Sequence, residues 1–159
     1  MNSCSQGALA DSVKESMNEY LNTMEVKGSA WGDWAGYQEK ARAAVASFFQ
    51  VPAHEIAITT SVSAALSSLA SSLNFNTKRN KIVLTENEFP TAGQIWHAQE
   101  LRGARVVHAP ANDDLTVNMT ELLKLIDHET LIVCISHICF RNGVRTELEP
   151  IIQAAKKAG

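Results

Sequence analysis

From residue 51 onward short apolar runs alternate with longer amphipathic ones, and this alternation restricts the fold more than any other feature of the chain. Ile82-Val83-Leu84 and the run from Leu131 to Ile135 are strand-sized and rich in β-branched residues. Strands are predicted over 56–60, 81–85, 104–108 and 131–136. Helices are predicted over 63–73, through Trp96 to Arg102, over 120–126 and over 147–158, with Pro150 in the permissive first turn. Strands that alternate with helices predict an α/β fold, with a mainly parallel sheet and helices on both faces. Such sheets bind ligands beyond the C-terminal ends of their strands. The residues after Thr60, Thr85, His108 and Ser136 are therefore the places to look for chemistry.

The first fifty residues read differently, so the expected division is a helical segment at 1–50 and an α/β portion at 51–159. Asp11 is a candidate helix cap, and Val13, Met17, Leu21 and Met24 form an apolar stripe at helical spacing. Gly28 ends that helix. A turn-rich connection carries Trp31 and Trp34, and a second helix then places Tyr37, Ala41, Val45 and Phe48 on one face until Pro52. The balance of 14 basic and 17 acidic residues contains no basic stripe, so nucleic acid is not an expected partner. No apolar run approaches membrane-spanning length. An odd count of three cysteines fits a reducing compartment, and a cytoplasmic location is expected.

At the predicted strand ends the residue types leave two readings open each time. Ser61, Val62 and Ser63 open a helix with small and hydroxyl-bearing residues. They either cap it or present its free amides to an anion such as phosphate. Phe89, held before Pro90, either closes the core or makes a flat wall for a planar ligand. Arg141 and Arg145 are either solvated or poised for a carboxylate. Cys134, His137 and Cys139 invite a metal reading. Cys134 and Cys139 differ by five residues, which puts them on opposite sides of a strand, and no second ligand pair exists, so no metal is expected.

Taken in order, these pieces resemble the class V aminotransferase family of cysteine desulfurases, selenocysteine lyases and isopenicillin epimerase-like proteins, which are fold type I pyridoxal-phosphate enzymes. The resemblance runs from Asn2-Ser3-Cys4-Ser5-Gln6-Gly7 through Ala44-Val45-Ala46-Ser47-Phe48-Phe49 and Glu55-Ile56-Ala57-Ile58-Thr59-Thr60-Ser61. It continues in Glu88-Phe89-Pro90-Thr91, Asp127-His128-Glu129-Thr130-Leu131-Ile132-Val133 and Ile135-Ser136-His137 to Asn142-Gly143.

The resemblance implies that Ser61, Val62 and Ser63 hold the phosphate of pyridoxal 5′-phosphate and that Phe89, beside Glu88, stacks on its ring. Counted from Ser136-His137, the polar residue that the desulfurase pattern brings to the cofactor falls at Phe140, and Asn142 is the nearby substitute. None of the eight lysines lies in a motif matching the family's Schiff-base lysine, so no catalytic residue is expected here. That lysine, and the aspartate that meets the pyridine nitrogen, are expected beyond Gly159. The chain then reads as the N-terminal part of a longer enzyme, inactive alone. The complete protein is expected to be a homodimer acting on an amino acid by transamination, desulfuration or epimerisation. The alternatives are a non-enzymatic truncated paralogue and an unrelated α/β module for a small phosphate ester.

Overall fold

A computed structural model describes residues 7–159, so Cys4 and all of the motif at 2–7 except Gly7 lie outside the described residues. The chain groups into two compact units, one ending at Thr59 and the other comprising Thr60–Gly159.

The first unit is built on two helices, α1 (Asp11–Lys27) and α2 (Trp31–Phe49). Asp11 is not a cap. It occupies the first turn, where its charge suits the helix dipole, and the ladder begins when Lys14 N–H bonds the Ala10 carbonyl at 3.1 Å. Gly28 takes φ +66°, a conformation that costs other residues a Cβ clash, and closes α1 as expected. The second helix starts earlier than the two-tryptophan turn suggested. Trp34 N–H already bonds the Ala30 carbonyl, and Asp33 lies in the first turn. Left-handed Gln50, rather than Pro52, ends it. The α1 stripe stays largely uncovered among the described residues, with Val13, Met17, Leu21 and Met24 all exposed.

The second unit contains α3 (Val62–Ser72), β1 (Lys81–Thr85), α4 (Pro90–His97), β2 (Arg105–Ala109), α5 (Met119–Leu125), β3 (Thr130–Val133) and α6 (Glu149–Ala158). The three strands form one parallel sheet in the order β2-β1-β3. Every residue of central β1 is buried, as expected of a parallel strand covered on both faces. Alternation along the strands feeds two cores. Ile82 and Leu84 pack with Ala70, Phe75, Trp96 and Ala104 under α3 and α4. Val83 packs with Ala109, Leu122, Ile126 and Ile151 under α5 and α6. Helices thus cover both faces.

Two strand expectations need correction. Residues 56–60 form no strand: Ile56 has extended backbone, but no ladder forms, because no strand among the described residues pairs with the segment. The third strand in the sheet ends at Val133 rather than Ser136. Cys134 N–H still reaches the Val83 carbonyl at 2.9 Å, but the Ser136 amide turns to the Glu88 carboxylate instead.

Candidate functional site at the C-terminal edge of the sheet

The direction of α3 follows from what holds its end. Arg102, just before β2 begins, donates from its guanidinium to the carbonyls of Ala70, Ser71 and Leu73 at 3.0, 3.2 and 2.9 Å. The C-terminus of α3 is therefore tied beside the N-terminal edge of the sheet. Eleven helical residues at about 1.5 Å each rise about 16 Å, close to the length of a five-residue strand. The start of α3 lies about 16 Å from that tether. There the Ser61 hydroxyl accepts from Ala64 N–H at 3.1 Å, while Val62 is exposed and Ser63 half-buried. Ser61 is thus a helix cap, and the other amides of the first turn lie with it at an end that favours anions.

The loop after β1 is fixed at three consecutive residues. Glu86 accepts from Ala111 N–H at 3.0 Å, which joins this loop to the one after β2. Asn87 is buried and donates from Nδ2 to the Leu115 carbonyl at 2.7 Å. Its Oδ1 is buried with no hydrogen-bond partner among the described residues, a state that typically costs about 1–3 kcal/mol. Glu88 accepts from the Thr85 hydroxyl at 3.2 Å and from both the amide and the hydroxyl of Ser136 at 2.7 Å. One carboxylate therefore ties the loop after β1 to the segment after β3.

That clip brings two aromatic residues together. Phe89 leads into α4, with Pro90 in the first turn, and 53% of it is exposed. Its ring meets Phe140 edge to face, with centroids 5.1 Å apart and planes at 76°. The Arg141 guanidinium lies 5.9 Å from the Phe140 centroid, within cation–π range. Phe89 is therefore not sealed into the core, and the partnership with Phe140 is a feature sequence reading missed. Its only signal was that Phe140 stands where a polar residue was expected.

Asn142 turns to its own loop and to the loop after β2. Nδ2 donates to the Leu115 carbonyl at 3.1 Å, and Oδ1 accepts from Val144 N–H at 3.0 Å. The Leu115 carbonyl thus receives both Asn87 and Asn142, and joins the loops after all three strands. Leu115 has φ +62°, an uncommon conformation for a leucine, and no sequence signal marks it. Arg145 pairs with Glu147 at 3.2 Å on the surface.

Cys134 and Cys139 make separate contacts. The Cys139 thiol contacts the Asn87 carbonyl at 4.0 Å. Burial pushes the Cys134 thiol up, and the neighbouring Trp96 indole opposes this without reaching hydrogen-bond geometry. Among the described residues no group of three or more His, Cys, Asp or Glu side chains could hold a metal ion. No described helix is long and apolar enough to cross a membrane.

The chain is similar to known proteins. The family described as Aminotransferase class-V matches residues 6–159. An uncharacterized aminotransferase of Bacillus subtilis (strain 168), YcbU, is 31% identical over 157 residues, which is 99% of this chain and 41% of that protein. Among solved structures, a C-DES mutant with glycine covalently linked to its PLP cofactor superposes with a TM-score of 0.83 at 22% identity, over 98% of this chain and 42% of the other. A NifS-like protein gives 0.80 at 23% identity, over 96% and 44%. A cysteine desulfurase from Thermococcus onnurineus NA1 gives 0.71 at 22% identity, over 91% and 39%. The chain spans less than half the length of each of these relatives.

Proposed function

The chain belongs to the class V aminotransferase family, and from that premise we propose that its unit Thr60–Gly159 forms the phosphate and ring-stacking parts of a pyridoxal-phosphate site in an enzyme acting on an amino acid. The observation that carries the proposal is the clip from Glu88 to Ser136. It sets a half-exposed aromatic ring at the edge of the sheet toward which α3 directs its N-terminus.

The residues present fit the group. A phosphate suits the start of α3, where amides, hydroxyls and the positive end of the helix dipole coincide. Ser61 shapes that turn, Val62 contributes its amide without a bulky polar rival, and Ser63 adds a hydroxyl. Phe89 offers a flat apolar face for a planar heteroaromatic ring, and Phe140 braces it from another side. The buried Asn87 Oδ1 is an acceptor at the same loop. Asn142 acts by holding the loop that carries Phe140.

Pyridoxal phosphate, when bound, supplies an electron sink for a carbanion beside an amino group. This unit contributes binding, orientation and shielding of the ring from water. None of its five lysines stands at the site edge. Lys81 is buried at the start of β1 in an ion pair with Asp127 at 2.6 Å. Lys78 precedes that strand, and Lys124, Lys156 and Lys157 occupy the last turns of α5 and α6. The amine that would hold the cofactor covalently is therefore assigned to no residue of this unit, and the full reaction needs more than its groups. Transamination, desulfuration and epimerisation all remain within the proposal. A homodimer is proposed from the family resemblance, and a cytoplasmic location from the free thiols of Cys134 and Cys139.

The test is a titration of the protein with pyridoxal phosphate, followed by absorbance, for the wild type, Phe89→Ala and Ser63→Ala. Aromatic stacking contributes about 0.5–1.5 kcal/mol beyond area burial, so Phe89→Ala should weaken binding a few-fold to about tenfold and shift the cofactor's spectrum. Ser63→Ala should weaken binding with little spectral change. A Phe89→Ala protein that melts earlier but keeps both affinity and spectrum would make Phe89 a packing residue and remove the proposed stacking wall.

A further inference from the structure

The two arginines that follow β3 are both open to a carboxylate in the sequence, and the structure separates them. Arg145 pairs with Glu147 at 3.2 Å. Arg141 has no carboxylate partner among the described residues. Both are exposed, so burial does not explain the difference.

An exposed arginine is ordinarily solvated and mobile, so the lack of a partner means little alone. Arg141 differs in where it is held. Its guanidinium lies 5.9 Å from the centroid of Phe140, and Phe140 meets Phe89 with centroids 5.1 Å apart. The charge is thus no farther from the proposed stacking wall than those two contacts together. Resting on a ring restricts the guanidinium without using its N–H donors. Asn142, next in sequence, fixes the backbone that carries it, donating to the Leu115 carbonyl and accepting from Val144 N–H. Carboxylates of the adjoining loops are engaged elsewhere. Glu86 accepts from Ala111 N–H, Glu88 from Ser136, and Asp114 from the amide and hydroxyl of Thr116. A guanidinium with its donors uncommitted therefore stands beside an apolar wall, in the loop after β3.

We propose that Arg141 is a specificity-determining residue of the site above, holding the carboxylate of an acidic side chain on the amino-acid substrate; the inference rests on the pyridoxal-phosphate reading. Guanidinium and carboxylate meet in a two-point fork that a neutral amide of the same size cannot match. Placement decides between the two ends of such a substrate. The carboxylate on the reacting carbon stays within a few bonds of the ring that Phe89 would stack. The Arg141 guanidinium rests on Phe140, one ring removed from Phe89, and is exposed. It therefore suits a group that projects outward past the aromatic pair. The substrate class is then an amino acid with a second acid group, bound by an ion pair in which no covalent bond is made or broken.

The experiment is a fluorescence titration of the protein with pyridoxamine phosphate and with two stable secondary amines, phosphopyridoxyl-glutamate and phosphopyridoxyl-glutamine. The last two differ in charge at nearly constant size. The wild type should bind the glutamate compound about three- to fivefold tighter than the glutamine compound, the upper range for a partly exposed ion pair. In Arg141→Gln the two should bind alike, with pyridoxamine phosphate unaffected. Arg141→Lys should keep part of the preference, and Arg145→Gln all of it. Added salt should narrow the preference of the wild type. Equal binding of the two compounds by the wild type, or a preference that survives in Arg141→Gln, would overturn the assignment. So would an equal loss for both compounds in Arg141→Gln, which would give Arg141 to the carboxylate on the reacting carbon. Failure of the cofactor reading looks different: pyridoxamine phosphate then fails to bind the wild type, and the side-chain subsite falls with it.

Discussion

Replacing Glu88 with alanine removes the acceptor of three hydrogen bonds at once. They come from the buried Thr85 hydroxyl and from the amide and hydroxyl of Ser136. Hydrogen bonds to a charged group contribute about 1.5–3 kcal/mol each, but these share one carboxylate and do not add. Glu88 is half-buried, so water enters the space left by the carboxylate and recovers part of the loss. The net cost of opening at Ser136 should therefore be about 1.5–3 kcal/mol, equivalent to roughly 10- to 150-fold faster exchange of the Ser136 amide. Native-state hydrogen exchange followed residue by residue measures this directly.

The conservative variant separates the clip from general damage. In Glu88→Gln the amide oxygen can keep the Ser136 N–H, and the new NH₂ group can donate to the Ser136 hydroxyl, which rotates to accept. Its cost should stay within about 1 kcal/mol, the value of one ordinary hydrogen bond. Exchange at Ser136 should then rise less than about tenfold. The contact between Phe89 and Phe140 depends on the same clip, so its ring-current shifts should diminish in the alanine variant and persist in the glutamine one. If the Ser136 amide exchanges equally slowly in the wild type and Glu88→Ala, the carboxylate does not join these loops. The account of how the site is assembled then fails with it.

Two further outcomes concern the opposite edge of the sheet. Arg102→Ala uncaps the last carbonyls of α3, and Arg102 also lies 5.3 Å from the centroid of the buried Phe75 ring. A loss of about 1–3 kcal/mol in urea unfolding is expected, with Arg102→Lys recovering only part because it lacks the planar fork. Hydrogen bonding from Lys81, and then from the Glu129 amide, holds the Asp127 carboxyl below the usual carboxylate range. A depressed folded value gives stability that is present above the ordinary range near 4 and lost as pH falls through the folded value. Asp127→Asn should therefore flatten the acid limb of a stability–pH curve. At neutral pH it should cost about 1–2 kcal/mol, the low end for leaving a buried ammonium unpaired, because Asp127 itself is nearly half exposed.

The parts of the fold legible in sequence are those whose pattern is local. Strand β1 coincides with its expected bounds because Ile82-Val83-Leu84 is too apolar for any position except a covered centre. Helices α3, α5 and α6 were found to within a turn, because small, apolar and capping residues recur at helical spacing, whereas the helix expected to reach Arg102 ends as α4 at His97 and gives way to a 3-10 turn over Ala98–Arg102. Residues 56–60 carry a similar apolar run, yet a strand is defined by its neighbour, and no local pattern shows whether one is present. Strand β3 stops early because of Glu88, 48 residues distant in sequence. The site behaves the same way. The Phe-Pro context left Phe89 open between closing the core and forming a planar wall, and it is exposed, whereas Phe140, Asn87 and Leu115 act through contacts between loops that no spacing rule encodes.

The two edges of the sheet divide the chain's polar chemistry between them. At the N-terminal edge, formal positive charges fasten backbone and carboxylates: Lys81 to Asp127, Arg105 to Glu129, Arg79 to the carbonyls of Thr130 and Gly159, and Arg102 to the end of α3. At the C-terminal edge, apart from the surface pair of Arg145 and Glu147, the fasteners within the loops are the reverse. Carboxylates and carbonyls accept from neutral amides and hydroxyls, as Glu86, Glu88 and Leu115 do. No lysine of the unit competes there for an anion, and the start of α3 stays at the edge it points to. A parallel sheet leaves its strand ends to loops, and loops need tying down before they can hold a ligand in one orientation. In the cofactor site proposed above, tying them with acceptors leaves the positive end of α3 open to a phosphate. Anchoring the other edge with cations keeps the unit's buried lysine out of reach of any aldehyde bound at the site.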